Sequence, residues 1–577
     1  MRLISLTANR PSFHPVKFHR KGISLIVGRQ KNRSGENGDK AHTYNGVGKS
    51  LFLYLINYCL GSDAKEAFSS QLGGWEFTLT LEIEGNEIPV TRRVSDPDKI
   101  QYGFEELSLE KFKERLQLAA FPAADQIKFL TFRSLMGVFL RPGETAYNQY
   151  DSIHYSERPV QKLIRSAYLL GLNVDLVLRK YDLVDQLRQM REMSNRFAKD
   201  PIIKEYFQGK KDVNLDIRDL EEQLAELDQS LSDFKVAENY HDVESAAAET
   251  KSQLQKARNS AVTIANKLRQ VEESLKIKAG VTLDMVETVY AAASVTFPAE
   301  LRLSLEEVEA FHSGLLSERK KRLQAEKHGL DSQLGKITPR IAVLSQQLDD
   351  HLRFLNAHGA LGELLSLKDR ANDVRNRLQK LIDFKKLTKQ FKDRSAELQV
   401  ELATENVRAA KYLDEQQGAV DSSAKQFRSI TRRLYPDKQS GLTIENDERE
   451  AQTRFVIDAK IVDDASHGIN KAKIFAYDLT LLSLRRNHDI RFLCHDSRLF
   501  SDIDPRQRAE IFRIAAEVSD ALDFQYVATV NEDQIEAIKP LLGESYDAII
   551  SKATVLELKD DAPEDKLLGI EIDLEYD

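Results

Sequence analysis

The run Asn45-Gly46-Val47-Gly48-Lys49-Ser50, followed by the apolar stretch Leu51 to Leu60, has the residue types of a phosphate-binding loop. In such a P-loop, glycines let successive backbone N–H groups converge on an anion at a helix N-terminus. A lysine ammonium reaches the β and γ phosphates, and a hydroxyl binds Mg²⁺. Lys49 and Ser50 are the last two groups, and Asn45, Gly46 and Gly48 supply the backbone cradle. The usual spacing is broken, because Thr43 occupies the leading glycine position and Gly28 lies about 20 residues before Gly48. The polar stretch Arg29 to Tyr44, with Gly35 and Gly38, therefore reads as an insertion, either a plain surface loop or a cover over nucleotide or partner.

A second constellation is Arg491-Phe492-Leu493-Cys494-His495-Asp496-Ser497, an apolar strand that delivers a carboxylate at its C-terminal edge. Asp496 would hold Mg²⁺ through water, as a second anchor beside Ser50. Two alignments stay open: Asp496 at the metal position with Ser497 after it, or Asp496 at the catalytic position with His495 at the metal position. No nucleophile triad, zinc-type Cys/His spacing or paired-carboxylate nuclease motif is present. The twelve histidines are scattered, with His312, His328 and His351 reading as exposed coil residues.

These groups need strands and helices to bring them together. Residues 1–172 alternate strand-like and helix-like pieces: strands at Arg2–Thr7 and Gly22–Val27, and a hairpin of Trp75–Glu84 and Asn86–Val94 about the turn Glu84-Gly85-Asn86. After about Gln417 the same texture returns. Leu442–Glu445, Arg454–Val462, Ile490–Cys494, Phe524–Val530 and a closing Leu567–Leu574 read as strands, and Lys471–Arg486 and Arg506–Leu522 as helices. The two ends, 1–172 and 418–577, are candidates for one composite α/β domain.

Between them the chain is polar helix with a spaced apolar seam. Val213, Ile217, Leu220, Leu224, Leu227, Leu231 and Phe234 alternate by four and three, as do Leu254, Ala257, Ala261, Ile264, Leu268, Val271 and Leu275. A 3.5-residue period keeps one seam against a partner helix. The seam stops near Gly280. It resumes with Leu330, Leu334, Ile337, Ile341, Leu344 and Leu348, then with Leu367, Ala371, Val374, Leu378 and Leu381. One arm out (173–278), a small helical tip (279–316) and one arm back (317–417) make a long antiparallel coiled coil. Each arm has roughly 100 residues, about 150 Å if unbroken, with a kink expected at Pro339 and near Gly359.

The totals agree with this division. A chain of 577 residues exceeds one compact core, and 30% charged with only 8% aromatic residues suits long exposed helices. A net charge of −8 excludes a uniformly basic DNA-coating body. With only Cys59 and Cys494, both in apolar contexts, and no apolar run of about 20 residues, the sequence reads as a reducing, cytoplasmic protein without a membrane span.

The N-terminal Asn-Gly-x-Gly-Lys-Ser, the out-and-back coiled coil, and a C-terminal half with Gly468, Asp496 and a last parallel strand resemble the SMC, RecN and RecF branch of ABC-type ATPases. More narrowly, Phe132-Arg133-Ser134-Leu135, Tyr168-Leu169-Leu170-Gly171-Leu172, Phe475-Ala476-Tyr477-Asp478-Leu479 and His495-Asp496-Ser497 resemble a YydD-like bacterial family of unknown function. The resemblance spans nearly the whole chain. It implies a P-loop ABC-type ATPase head assembled from both chain ends, ATP and Mg²⁺ as cofactors, and a homodimer closed through ATP-bound heads. It also implies a setting in bacterial defence or three-component ABC modules.

In the same resemblance, Ser466-His467-Gly468-Ile469-Asn470 stands where a serine-glycine signature meets the γ-phosphate of the opposite subunit, with His467 replacing a glycine. A plain helix cap by Ser466 is the alternative. Ser497 stands where a water-orienting glutamate is usual, Ser501-Asp502-Ile503-Asp504 resembles the loop that crosses the dimer interface, and Asn531 replaces a switch histidine. Ser497 and Asn531 together predict slow hydrolysis. Gln149 and Gln161 are both candidates for the glutamine that senses Mg²⁺. Arg428, Arg432 and Arg433, and less favourably Arg319 to Arg322, are candidate contacts to DNA phosphates, with solvated coil faces as the alternative. Two functions follow: an ATP-driven machine that senses or clamps DNA, or a nucleotide-gated scaffold that recruits a separate effector protein.

Overall fold

The computed structural model describes residues 1–30, 46–64, 66–199, 213–233 and 360–572, with helical positions 328, 335, 341–343 and 345. Asn45, most of the insertion, the seam 254–275, the tip 279–316, the cluster Arg319 to Arg322 and, Ile341 apart, the seam 330–348 lie outside the described residues. Contacts divide the chain into two compact units, Met1–Asp185 with Val400–Asp577, and Gln186–Gln399.

In chain order, β1 (Arg2–Ala8), β2 (Val16–Lys17) and β3 (Gly22–Arg29) precede α1 (Lys49–Cys59) and the short α2 (Glu66–Gln71). Next come β4 (Glu76–Ile83), β5 (Asn86–Arg93), β6 (Lys99–Tyr102), β7 (Glu105–Ser108), α3 (Leu109–Ala120), α4 (Phe132–Leu140), α5 (Pro159–Leu169) and α6 (Val174–Lys199). Beyond them stand α7 (Val213–Asp233), α8 (Ala360–Glu415), α9 (Gln417–Leu434), β8 (Ser440–Asn446), β9 (Phe455–Ile461) and α10 (His467–Leu484). Towards the other end stand β10 (Phe492–His495), α11 (Pro505–Ala521), β11 (Gln525–Asn531), α12 (Glu532–Glu536) and β12 (Thr554–Lys559), with short helices between and after the last two.

Two sheets organise the first unit. β2-β1-β4-β5-β6-β7 is antiparallel, and its β4 alternates half-buried and buried residues, as one covered face requires. Glu84 and Gly85, both at positive φ, make the two-residue turn into β5. The second sheet, β10-β11-β3-β12, is wholly parallel, so residues 22–29 pair on both sides with strands from the far end of the chain. The core of β3 is six consecutive buried residues, the pattern of a strand covered on both faces. Gln525 links the sheets: its amide donates to Leu3 O at 2.7 Å and accepts from Leu3 N at 2.9 Å.

The segment after β12 departs from the sequence expectation. The closing strand is Thr554–Lys559, and the described part of Leu567–Leu574 is not a strand. Leu567 and Leu568 are both buried, which breaks alternation. The segment is held by other contacts instead: Leu567 N donates to Val47 O at 3.1 Å and its carbonyl accepts from His14 N at 3.0 Å. A Cβ added at Gly48 would stand 2.6 Å from Leu567 Cβ, so this segment packs directly on the turn that opens α1.

Also within the first unit, the β8–β9 loop fastens the helices beneath it. The buried Arg454 guanidinium takes Asn406 Oδ1 of α8 at 2.6 Å and Leu176 O of α6 at 3.4 Å, and the buried Lys180 ammonium donates to Asp447 O.

In the second unit, α7 buries Ile217 and half-buries Leu220, Leu224, Leu227 and Leu231. On α8, Ala371 and Leu381 are buried and Leu367, Val374 and Leu378 half-buried. Phe197 stacks on Phe384 at 5.6 Å and lies 5.8 Å from Phe391, while Asp228 pairs with Arg375 at 3.1 Å. Residue numbers thus rise on one side as they fall on the other, which is antiparallel packing.

Candidate nucleotide-binding site

Gly46 and Gly48 have φ of 84° and 104°, a left-handed conformation that side chains rarely adopt. Gly48 is the N-cap of α1 and offers no capping side chain, and the first turn of α1 carries no carboxylate. The first backbone N–H groups of that turn thus face an N-terminus suited to an anion. At the other end of α1, Arg92 caps the carbonyls of Tyr58 and Ser62 (2.7 and 2.5 Å), and Arg133 caps that of Leu60 (3.1 Å).

Lys49 folds back over the end of β3. It is only 6% exposed, and a Cβ at Gly28 would meet its Nζ at 2.7 Å and its Cδ at 2.9 Å. Gly28 is thus the floor of the lysine channel. Burial pulls the ammonium down to about 8, against the opposing charges of Asp496, Asp533 and Asp560.

Asp496 leaves the fully buried β10 at the carboxyl edge of the parallel sheet and starts a 3₁₀ turn, its Oδ1 accepting from Arg498 N at 3.0 Å. Its Oδ2 accepts from Ser50 Oγ at 3.1 Å and Thr529 Oγ1 at 3.4 Å. The amide of Asp496 donates to Tyr147 Oη at 2.7 Å. Ser497 donates its N–H to Thr529 Oγ1 (2.9 Å) and its hydroxyl to Asp496 Oδ1 (3.3 Å).

His495 points the other way. Its ring is fully buried, with Nε2 3.1 Å from Asp478 Oδ2 and Nδ1 3.0 Å from Tyr526 Oη. Both ring nitrogens are engaged in the interior, so of the two alignments the geometry favours Asp496 as the group facing Ser50. Burial lowers the His495 pKa despite the Asp478 carboxylate.

Ser50 and Asp496 fit a magnesium ion that arrives with its phosphates: one hydroxyl ligand, and one carboxylate to hold a coordinated water. No group of three or more His, Cys, Asp and Glu suited to a metal occurs among the described residues.

Asn531 ends β11 in register with Gly28, which sets it beside the strand end over which Lys49 folds. Its N–H donates to Gln534 Oε1 at 3.0 Å, and Gln534 Nε2 donates to Ser497 O at 3.3 Å, so Asn531 and Ser497 share one support.

Ser466 is the exposed N-cap of α10 and makes no side-chain cap, in contrast to the plain-cap alternative. A Cβ at Gly468 would fall 2.4 Å from Asp502 O, so the helix start packs directly on the 501–503 segment. Lys471 Nζ ties the two with contacts of 2.6 Å to both Ser501 Oγ and Asp502 Oδ2, and this lysine lowers the Asp502 pKa.

Neither candidate glutamine is bonded to the site. Gln149 Oε1 accepts from Lys162 Nζ at 3.0 Å, and Gln161 caps the start of α5 by accepting from Arg158 N at 3.0 Å. Of the candidate DNA contacts, Arg428 and Arg432 are exposed on α9. Arg433 pairs with Glu510 (2.7 Å) and Glu517 (2.6 Å) of α11.

Sequence reading missed Tyr147, Thr529, Tyr526, Leu567 and the Arg141–Asp478 pair. Only the last had a signal: Asp478 is a lone charge in the apolar run Ile474 to Leu482, which demands a buried partner. Arg141 supplies it, with Nη2–Oδ1 at 2.5 Å and Nε–Oδ2 at 2.8 Å.

Residues 430–572 match the family described as "Uncharacterised protein conserved in bacteria (DUF2326)". No curated protein matches the chain. Among solved structures, the chain is similar to the Smc head domain with a coiled coil and joint from Pyrococcus yayanosii, at 14% identity over 93% of each chain and a TM-score of 0.37. It is also similar to the Smc head domain with an extended coiled coil bound to the C-terminal domain of ScpA from Pyrococcus furiosus. That match has 12% identity over 93% of this chain and 91% of the other, with a TM-score of 0.33. Among the described residues, no helix is long and apolar enough to cross a membrane.

Proposed function

We propose that this chain binds ATP with Mg²⁺ at the carboxyl edge of its composite parallel sheet and hydrolyses it slowly. The observation that carries this reading is the 3.1 Å contact of Ser50 Oγ with Asp496 Oδ2, beside an ammonium laid over Gly28. Loop amides and the start of α1 would gather the phosphates, and Lys49 would neutralise them. Bound Mg²⁺ would offset charge on the β and γ oxygens. Ser50 and Asp496 would orient it, and Leu567 packs against the loop at Gly48.

Ser497 cannot act as a carboxylate base toward water, and a positioned base contributes roughly 10²–10⁴-fold. Turnover is accordingly slow. Ser466 and Gly468 of a second copy would close on the γ-phosphate through the exposed start of α10, making ATP a clamp between two heads. Arg428 and Arg432 would give salt-dependent, sequence-independent contact with DNA, in DNA maintenance or in defence as the resemblance implies.

Ser497 also favours a second reading, a nucleotide-gated scaffold that recruits an effector with negligible turnover. Steady-state ATP turnover with and without DNA, alongside ATP-dependent dimerisation, separates the two. DNA-stimulated turnover abolished by Lys49→Ala supports the clamp, and dimerisation without turnover supports the scaffold. If neither ATP binding nor dimerisation occurs, both readings fail.

A further inference from the structure

A closed loop of hydrogen bonds runs beneath the Asp496 carboxylate and joins the two halves of the chain. Arg141, at the end of α4, is 1% exposed, and Asp478, His495 and Tyr526 are fully buried. Arg141 grips Asp478 through two nitrogens, and Asp478 Oδ2 accepts from His495 Nε2. A carboxylate only accepts, so the His495 proton is on Nε2, and Nδ1 accepts from the Tyr526 hydroxyl. Arg141 also donates to the carbonyls of Ala146 (2.8 Å), Gln149 (3.1 Å), Tyr150 (2.5 Å) and Ser152 (2.8 Å). That turn presents Tyr147, whose hydroxyl takes the Asp496 N–H and so completes the circuit.

Packing alone does not call for this arrangement. Phe492, Leu493 and Cys494 fill β10 with apolar groups, and a buried ion pair is commonly replaced by apolar residues with no loss of stability. What the circuit does is fix the His495–Asp496 peptide from both sides, through the ring of one residue and the amide of the next. Magnesium tolerates little departure from octahedral geometry, so a small displacement of that peptide would be passed on to a bound Mg²⁺ through the Asp496 carboxylate and the water it holds.

We propose that Arg141, Asp478, His495 and Tyr147 form a positioning circuit that sets the Asp496 carboxylate against Ser50 and thereby tunes Mg²⁺ affinity. This rests on the nucleotide-site reading above. Residues that orient metal ligands typically change metal affinity by about 10–100-fold when replaced.

The test titrates Mg²⁺ against binding of a fluorescent ATP analogue to the full chain, with ATP affinity in EDTA as the reference. His495→Phe and Tyr147→Phe are expected to raise the half-saturating Mg²⁺ at least ~10-fold while leaving the EDTA affinity unchanged. His495→Gln, whose amide can both donate to Asp478 and accept from Tyr526, is expected to restore most of the loss. Wild-type Mg²⁺ response in His495→Phe and Tyr147→Phe, or equal losses in His495→Phe and His495→Gln, overturns the circuit and leaves the nucleotide site standing. If His495→Phe does not fold, Tyr147→Phe decides alone. Absence of Mg²⁺-dependent binding in the wild type instead overturns the nucleotide site itself.

Discussion

Ser50 Oγ lies 3.1 Å from Asp496 Oδ2 although 446 residues separate them along the chain. The contact exists because β3, the strand that precedes α1 in the chain, is inserted between β11 and β12, and β11 carries β10 on its other side. The distant carboxylate therefore reaches the edge where α1 begins, and ligands bind at such carboxyl edges of parallel sheets.

Lys49 should make the nucleotide-free protein less stable at neutral pH. Its folded-state pKa, about 8 against an ordinary 10.5, means the unfolded chain holds more protons between those values. Stability then rises with pH across that window, and the burial penalty, ~3 kcal/mol, is fully present below about pH 8. Lys49→Met should raise the apo melting temperature at pH 7 and flatten the rise between pH 8 and 10, while abolishing ATP binding. Parallel stability curves for the two proteins would contradict this.

Ser497→Glu should speed ATP turnover by at least ~10-fold by supplying a carboxylate for the attacking water. Steady-state phosphate release measures it. An unchanged rate would mean that another step, or a lack of head closure, limits turnover.

Asp478→Ala should destabilise the chain by about 3–5 kcal/mol, because it strands the buried Arg141 guanidinium without its counter-charge. Urea unfolding followed by intrinsic fluorescence reads this. A loss below ~1 kcal/mol would show that the pair is less enclosed than its geometry indicates.

Replacing Arg428 and Arg432 together with alanine should lower the salt dependence of DNA binding by about one to two charges. Arg433→Ala should leave DNA affinity nearly unchanged and loosen the α9–α11 contact through Glu510 and Glu517. Anisotropy titrations at several salt concentrations distinguish these, and a larger effect at Arg433 would reverse the assignment.

Legibility in the sequence followed the range of the interactions. The Lys49-Ser50 pair, the Glu84-Gly85 hairpin turn and the seam on α7 depend on neighbours within a few residues, so type and spacing suffice. The strand leading to Asp496 is legible because Phe492, Leu493 and Cys494 form an apolar run just before a carboxylate. Tyr147 and Thr529 were not, since an isolated hydroxyl carries no periodic signal and acquires its role only when separate elements meet at Asp496. Leu567 was misassigned to a strand because consecutive leucines and isoleucines suit several buried conformations. Its contacts with His14, Val47 and Gly48, all more than 500 residues away, select this one. Gly28 was noticed for its distance from Gly48, yet its role as the floor under Lys49 required the register of β3 and α1.

The claim that both chain ends build one magnesium-nucleotide site is tested most directly by a double-mutant cycle on Ser50→Ala and Asp496→Ala, read as ATP affinity with Mg²⁺ and with EDTA. The account predicts a coupling of about 1–2 kcal/mol in Mg²⁺ that vanishes in EDTA. Effects that add to within about 0.3–0.5 kcal/mol in both conditions would mean the two residues act at separate places.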